Sequence, residues 1–399
     1  MLNSRNRLTA GCFLAFFAFG FIDNLKGPIL PELLRSEQLS LSQGGTIFLG
    51  AYVGFIIATL LTGFLADWGG NRLVLLIAGM LLCIGLLGVS LNVTYPVFVL
   101  LMGVVGLGLG AIEVGANGLI VVLHRENAGR YLNLLASSHG TGSFLVPVYV
   151  AWLLHLGVGW QRVFLSVVLL SGLLTVSLMF SPEPTKNRGT TTANWNLRET
   201  LKIGFSGQMG WYYCLICSYV ALELGLAAWL MEYLQQIRGK SSLESSYYLS
   251  GFFMTIMLGR FIGSFFVEKL GYLRMVGVSL VGGVCCLIAG IYGHEALLIA
   301  LPMSGGFFSI VFPTVTAVVT SLHQKNIGKV LGILFTFGGI GGALGPWMIG
   351  VVSDWIGLQM GMCMTIVYGI VAIAALLIVV WRTREERKLR LATLARLQR

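Results

Sequence analysis

The sequence predicts an all-α integral membrane protein of twelve transmembrane helices, arranged as two six-helix, pseudo-symmetric halves. Three observations carry this expectation. Of 399 residues, 56% are hydrophobic and 11% charged, with a mean hydropathy of +0.85. A soluble domain has about 25% charged residues, so this chain lacks the polar surface to dissolve in water. Twelve apolar runs, each near the roughly 20 residues that cross a bilayer, are centred around residues 20, 54, 82, 108, 143, 170, 218, 256, 282, 308, 340 and 370. One long polar stretch, SPEPTKNRGTTTANWNLRET at 181–200, separates the sixth run from the seventh.

The expected organisation is an N-terminal six-helix half (1–180), a cytoplasmic linker (181–202), a C-terminal six-helix half (203–382) and a basic cytoplasmic tail (383–399). The first apolar run is too long for a signal peptide and lacks a small-residue cleavage site, so it is expected to stay as the first span. With the N-terminus inside, 20 Lys and Arg residues fall on the cytoplasmic face against 4 on the other, the bias of a multi-pass cell-membrane protein with both termini cytoplasmic. The net charge of +10 therefore reflects topology and the tail RTREERKLRLATLARLQR, which is expected to lie along anionic headgroups. A nucleic-acid partner is not expected; the lipid bilayer is, and the chain is read as a monomer. All seven cysteines lie in apolar segments, Cys214 and Cys217 as a CxxC inside a helix, and read as small packing side chains. Glycine, 53 of 399, is close to twice its usual frequency of about 7% and suits helices packed closely in lipid.

Polar residues inside the spans are the candidate functional residues. In span one, Asp23 and Lys26 are three apart on one side, spaced either to pair with each other or to open when substrate arrives, and Asn24 lies between them. After span two comes GFLADWGGNR (63–72), and after span eight SFFVEKLGYLR (264–274). Aligning Asp67 with Glu268 also aligns Gly70 with Gly271, which points to an internal repeat. Asp67 is an anion at a span end, able to cap a neighbouring helix N-terminus in one conformational state. Its turn is expected to bring it to Arg72, and Asp67, Arg72 and Glu268 are the candidate gating residues; the plain alternative is a helix-end or topology role. In span four, Gly103, Gly106, Gly110, Glu113 and Asn117 form one stripe. The glycines admit a close helix, and Glu113 must face a wet cavity, a partner, or be protonated. His139 in span five is a candidate polar contact or proton relay, with helix bridging as the alternative. Arg260 in span eight reads as structural.

Several of these segments resemble a known family. GFLADWGGNR is similar to the loop signature of the major facilitator superfamily, matching at Gly63, Leu65, Ala66, Asp67, Gly70 and Arg72. GLGAIEVGAN (108–117) resembles span four of the fucose:galactose:proton symporter family, in which the Glu and the Asn four residues later lie in the sugar cavity. Leu132–Asn133–Leu134, GRFIG (259–263), SIVFPT (309–314) and YVALELGLAAWLMEY (219–233) resemble that family's spans five, eight, ten and seven. Relatives of fucose permease carry a span-one acid where Gly27 stands here, with Asp23 about a turn earlier. The resemblance implies the major facilitator fold and proton-coupled monosaccharide uptake by alternating access. Glu113, Asp23 and Glu223 are then the proton-coupling candidates. Asn24, Glu113, Asn117, Asn133, His139, Glu223 and Trp229 are the substrate contacts, Glu223 meeting hydroxyls and Trp229 an apolar sugar face.

Other function classes fit less well. The sequence has no GxSxG, no HExxH and no metal-ligand cluster, and the GxGxxA at 106–111 lies mid-helix, so an enzyme, a metal site and a cofactor are not expected. An exporter or antiporter of drugs or other small organic molecules is the competing reading. Such proteins usually carry GxxxGPxxGG in span five, whereas the similar GGALGPWMIG (341–350) belongs here to span eleven. Sodium remains an alternative to the proton.

Overall fold

The twelve spans are all present in the computed structural model, which describes residues 4–179, 204–205, 207–322 and 327–397. Span one is Ser4–Asp23 followed by Lys26–Ser36, and spans two to six are Leu41–Gly69, Asn71–Ser90, Tyr95–Leu123, Ala128–His155 and Trp160–Met179. Spans seven to nine are Met209–Gln236, Ser242–Leu270 and Tyr272–Tyr292. Span ten is Ala300–Phe308 followed by Val311–Leu322, and spans eleven and twelve are Ile327–Ile356 and Leu358–Leu397. The expected linker at 181–202 lies outside the described residues. An even number of spans places both termini on one face, called here the terminal face; the other is the far face.

Ten of the spans are long and apolar enough to cross a membrane on composition alone; spans five and eight are not among them. These two pack against each other across the halves. Their polar side chains face a cavity rather than lipid, which is why hydropathy undercounts them.

Span one breaks after Asp23 because Pro28 has no N–H for the carbonyl of Asn24 and its ring crowds that carbonyl. Span ten breaks after Phe308 for the same reason, Pro313 standing four residues beyond Ser309. Both breaks lie inside a span and free backbone carbonyls there.

The internal repeat is written in the backbone. Six of the seven left-handed residues among those described fall in pairs at matching loops: Gln38 (φ 52°) with Gly239 (63°), Gly70 (82°) with Gly271 (85°), and Gly157 (76°) with Gly357 (91°). The pairs are 201, 201 and 200 residues apart. Ser40 with Gln43 and Ser241 with Glu244 form capping boxes at the starts of spans two and eight. Gly70 and Gly271 each end one helix and start the next, so each turn has a single residue to reverse the chain, and glycine takes the required φ at least cost.

Each half has its own core. One cluster of buried side chains runs from Leu8 to Leu178; the other runs from Met209 to Val379 and also takes in Leu30, Leu34 and Phe48 of the first half. Those three mark where the halves close on each other. The glycine stripe of span four packs on span two: a Cβ at Gly106 would stand 1.8 Å from the Ala51 carbonyl oxygen, and one at Gly54 2.0 Å from that of Gly103. The stripe is thus a backbone-to-backbone seam. Below it, buried His124 ties spans one, four and five together. Arg5 Nη2 donates to its Nδ1 at 2.9 Å, Thr9 Oγ1 bonds its Nε2 at 2.8 Å, and its ring stacks on Tyr131. Burial, and then the Arg5 charge, hold its pKa below the usual histidine value, so it is a neutral strut.

Candidate functional site

A cavity of about 430 Å³ lies between the halves, walled by spans one, five, seven and eight. The break in span one supplies its floor. Asp23 and Asn24 line it there, and Asn24 Nδ2 is shared between the Gly20 carbonyl and Ser143 Oγ, both at 3.0 Å. Asp23 is held from the opposite side: Lys26 Nζ donates to one oxygen at 2.7 Å and Tyr52 Oη to the other at 3.1 Å. Lys26 is buried, with its ammonium over the rings of Phe48 and Tyr52. Asp23 therefore sits in a closed ion pair beside the cavity.

Span five contributes Asn133, Ser137, His139 and Ser143. The His139 ring meets Phe19 edge-on at 4.7 Å. Glu223 of span seven and Arg260 of span eight both line the cavity. Among the described residues the ion pairs are Lys26–Asp23 and Lys240–Glu295, so Glu223 and Arg260 share the space without touching. Arg260 is aimed by the break in span ten: its Nε donates to the freed Ser309 carbonyl at 3.3 Å. Tyr219 Oη donates to the neighbouring Phe308 carbonyl at 2.9 Å. Phe253 and Phe261 give the wall an aromatic side.

The cavity is shut on the far side and open on the terminal side. At the far end, Asp354 at the end of span eleven accepts from the Leu41 and Ser42 amides, both at 2.9 Å, capping span two across the halves. Arg35 Nη2 donates to Gln235 Oε1 at 2.6 Å, and Ser250 Oγ to the Phe144 carbonyl at 2.8 Å. Toward the terminal face, Asn133 and Ser137 are exposed although they line the cavity, as are Leu61, Phe64 and Trp68 of span two. Asp354→Asn removes the charge that meets the span-two N-terminus, worth about 1 kcal/mol. Thiol labelling at a far-side cysteine is expected to become about fivefold faster; an unchanged rate would show that the contact does not hold the closure.

Five of the sequence-predicted site residues meet in this cavity: Asp23, Asn24, Asn133, His139 and Glu223. Glu113 and Asn117 are not on its wall. They pair on span four, Asn117 Nδ2 donating to the Glu113 carbonyl at 2.7 Å and to its Oε1 at 3.2 Å, and both are half-buried. Trp229 needs correcting: it is fully buried in the far-side closure, donating from Nε1 to the Pro346 carbonyl at 2.8 Å and packing near Gly44 and Gly350. It seals the halves and offers no face to the cavity in this conformation. Arg72 does not pair with Asp67. It donates to the Leu178 and Met179 carbonyls at the end of span six, at 3.1 and 2.8 Å, while Asp67 is exposed. A helix C-terminus is the better partner because its last carbonyls lack helical donors. The Glu268 side chain lies outside the described residues. Arg260, read from sequence as structural, is instead the cavity's cation. The signal was present in SIVFPT, whose proline frees the carbonyl that aims it.

Two pseudo-symmetric bundles of six spans with a polar cavity between them, shut at one end, define a membrane carrier. The Major Facilitator Superfamily model matches residues 12–289 and again 214–397, and the chain belongs to that superfamily. It is similar to the L-fucose-proton symporter of Escherichia coli K12, 24% identical over 383 residues that cover 85% of each chain. It is also similar to a protein TsgA homolog of Buchnera aphidicola subsp. Acyrthosiphon pisum, 24% identical over 387 residues, 94% of this chain and 96% of that one. Among solved structures, a bacterial homolog of the human lysosomal transporter Spinster, inward-facing and unoccupied, superposes with a TM-score of 0.80 at 17% identity, covering 96% of this chain and 98% of that one.

Proposed function

We propose that the chain is a proton-coupled monosaccharide transporter that takes up its substrate by alternating access. The observation that carries this reading is the chemistry of the cavity. Asp23 is neutralised by Lys26, and Glu223 shares its space with Arg260, so no net charge is left to demand a charged substrate. Asn24, Asn133 and His139 add groups that donate and accept, as sugar hydroxyls require. Phe253 and Phe261 supply the apolar face once assigned to Trp229. The volume of about 430 Å³ is in the range of small-molecule sites, about 300–1,000 Å³. Similarity to a fucose–proton symporter supports the substrate class. The exporter reading is not favoured, because Pro346 and Gly350 of GGALGPWMIG are spent on the far-side closure around Trp229.

With both termini cytoplasmic, the conformation seen is inward-open, and the protein works as a monomer in the cell membrane. Gating then has a reciprocal form. Asp354–Trp355–Ile356–Gly357 and Asp67–Trp68–Gly69–Gly70 each place an aspartate three residues before a left-handed glycine, on two packed, antiparallel spans. Asp354 caps span two now; Asp67 caps the start of span eleven when the terminal side closes, with Arg72 holding its turn to span six and Glu268 in the repeat position. Within the cavity, Glu223 accepts from and Arg260 donates to the sugar, assisted by Asn24, Asn133 and His139. Glu113, backed by Asn117, carries the proton, and Asp23 stays paired with Lys26.

Thermal-shift titration with a panel of monosaccharides beside cationic drugs tests this reading, since a ligand that binds the folded state raises its apparent stability. Stabilisation by at least one monosaccharide is expected. Arg260→Gln and Glu223→Gln are each expected to weaken it about tenfold or more, the worth of a charged hydrogen bond. Stabilisation by the drugs alone would sink the sugar reading.

A further inference from the structure

We propose that Glu232 is a proton-dependent latch on the far side, separate from the cavity residues that carry the transported proton. The inference rests on the alternating-access reading above, though not on the identity of the substrate. Glu232 lies on span seven, about two and a half helical turns beyond Glu223, and is fully buried. Gln236 Nε2, one turn on, donates to its Oε1, while its Oε2 has no hydrogen-bond partner. It is the one such buried side-chain oxygen among the described residues. An ionised oxygen left without a donor in an apolar interior is heavily penalised, and a neutral carboxyl far less so. The closed far side therefore holds Glu232 protonated.

The charges around it leave this conclusion standing. From span one, Arg35 acts on Glu232 but spends a guanidinium nitrogen on Gln235; Glu32 is half-buried and Glu37 exposed. From span eleven, Asp354 is taken by the span-two amides, and from span eight, Glu244 by Ser241. Before span ten, Glu295 pairs with Lys240 and His294 is exposed. Span twelve carries no Asp, Glu, Lys or Arg before Arg382. On its own helix, Tyr233 donates to the Ile291 carbonyl and accepts from Arg238.

Span one packs on span seven at this end, and the Arg35–Gln235 bond crosses the seam. When the seam parts, water and the released Arg35 reach Glu232, and its proton passes to water on the far side. Closing takes one proton back from that water. The closed state thus binds one proton more than the open state, so falling pH favours closure and rising pH favours opening.

The test is the open-to-closed ratio of the far side, read by pulsed-EPR or single-molecule distances in lipid nanodiscs without substrate, as a function of pH. In the wild type the ratio is expected to rise about tenfold per pH unit where the proton is exchanged, as one-proton linkage requires. In Glu232→Gln it should be biased to closed and change less than twofold over the same range. A flat wild-type ratio overturns the proposal without recourse to any variant, and so does a wild-type slope retained in Glu232→Gln. Because no sugar is present, a failure of sugar binding leaves this readout untouched, and a failure here leaves the sugar reading untouched.

Discussion

Replacing Lys26 with methionine is expected to destabilise the protein by about 3–5 kcal/mol, the cost of stranding one charge of a buried pair. The side chain is 4% exposed and that of its partner Asp23 13%, at a separation of 2.7 Å. Without the ammonium, the carboxylate keeps only the Tyr52 hydroxyl. The stranded carboxylate then lowers the unfolding midpoint. The measurement is thermal unfolding in detergent, with Asp23→Asn/Lys26→Met beside the single variant. The double variant should recover most of the lost stability, because replacing both charges is close to neutral while removing one is not. An unfolding midpoint unchanged in Lys26→Met would mean that the pair contributes nothing to stability, and would return Asp23 to the proton-carrying candidates.

Glu113→Gln is expected to abolish uphill accumulation and to preserve exchange. Among the described residues the carboxyl has no ion-pair partner, and its side-chain hydrogen bond is from Asn117 Nδ2 at 3.2 Å. A glutamine keeps that shape and imitates the protonated state permanently. In vesicles loaded with substrate on both sides, the variant should exchange at a rate near wild type; under an imposed proton gradient, it should only equilibrate. If accumulation survives, coupling belongs to Glu223, which shares the cavity with Arg260 without forming an ion pair with it. Loss of exchange and accumulation together would make the Glu113–Asn117 pair structural.

The parts of this molecule that sequence could show are those set by local chemistry. Ten of the twelve spans follow from length and hydropathy alone, and the repeat from the glycine that both reversing turns require at Gly70 and Gly271. The stripe on span four showed where a helix would approach closely, and span two does. Spacing along a helix gives the face of a residue, though not which of several neighbours that face meets. Trp229 and Glu223 illustrate the difference: six residues apart on span seven, one seals the far closure and the other lines the cavity. Asp67 and Arg72 were close in sequence, yet the carbonyls of span six compete better for the guanidinium. The place of Arg260 on the cavity wall was not legible, because the carbonyl that aims it, freed by Pro313, comes from another span altogether.

Monosaccharide accumulation in proteoliposomes under an imposed inward proton gradient, in sodium-free buffer, tests the central claim most directly. The predicted result is a transient internal sugar concentration above the external one, with matching inward proton flow, both abolished by a protonophore. Sugar that merely equilibrates whatever the gradient, or accumulates only when sodium is supplied, would contradict proton coupling.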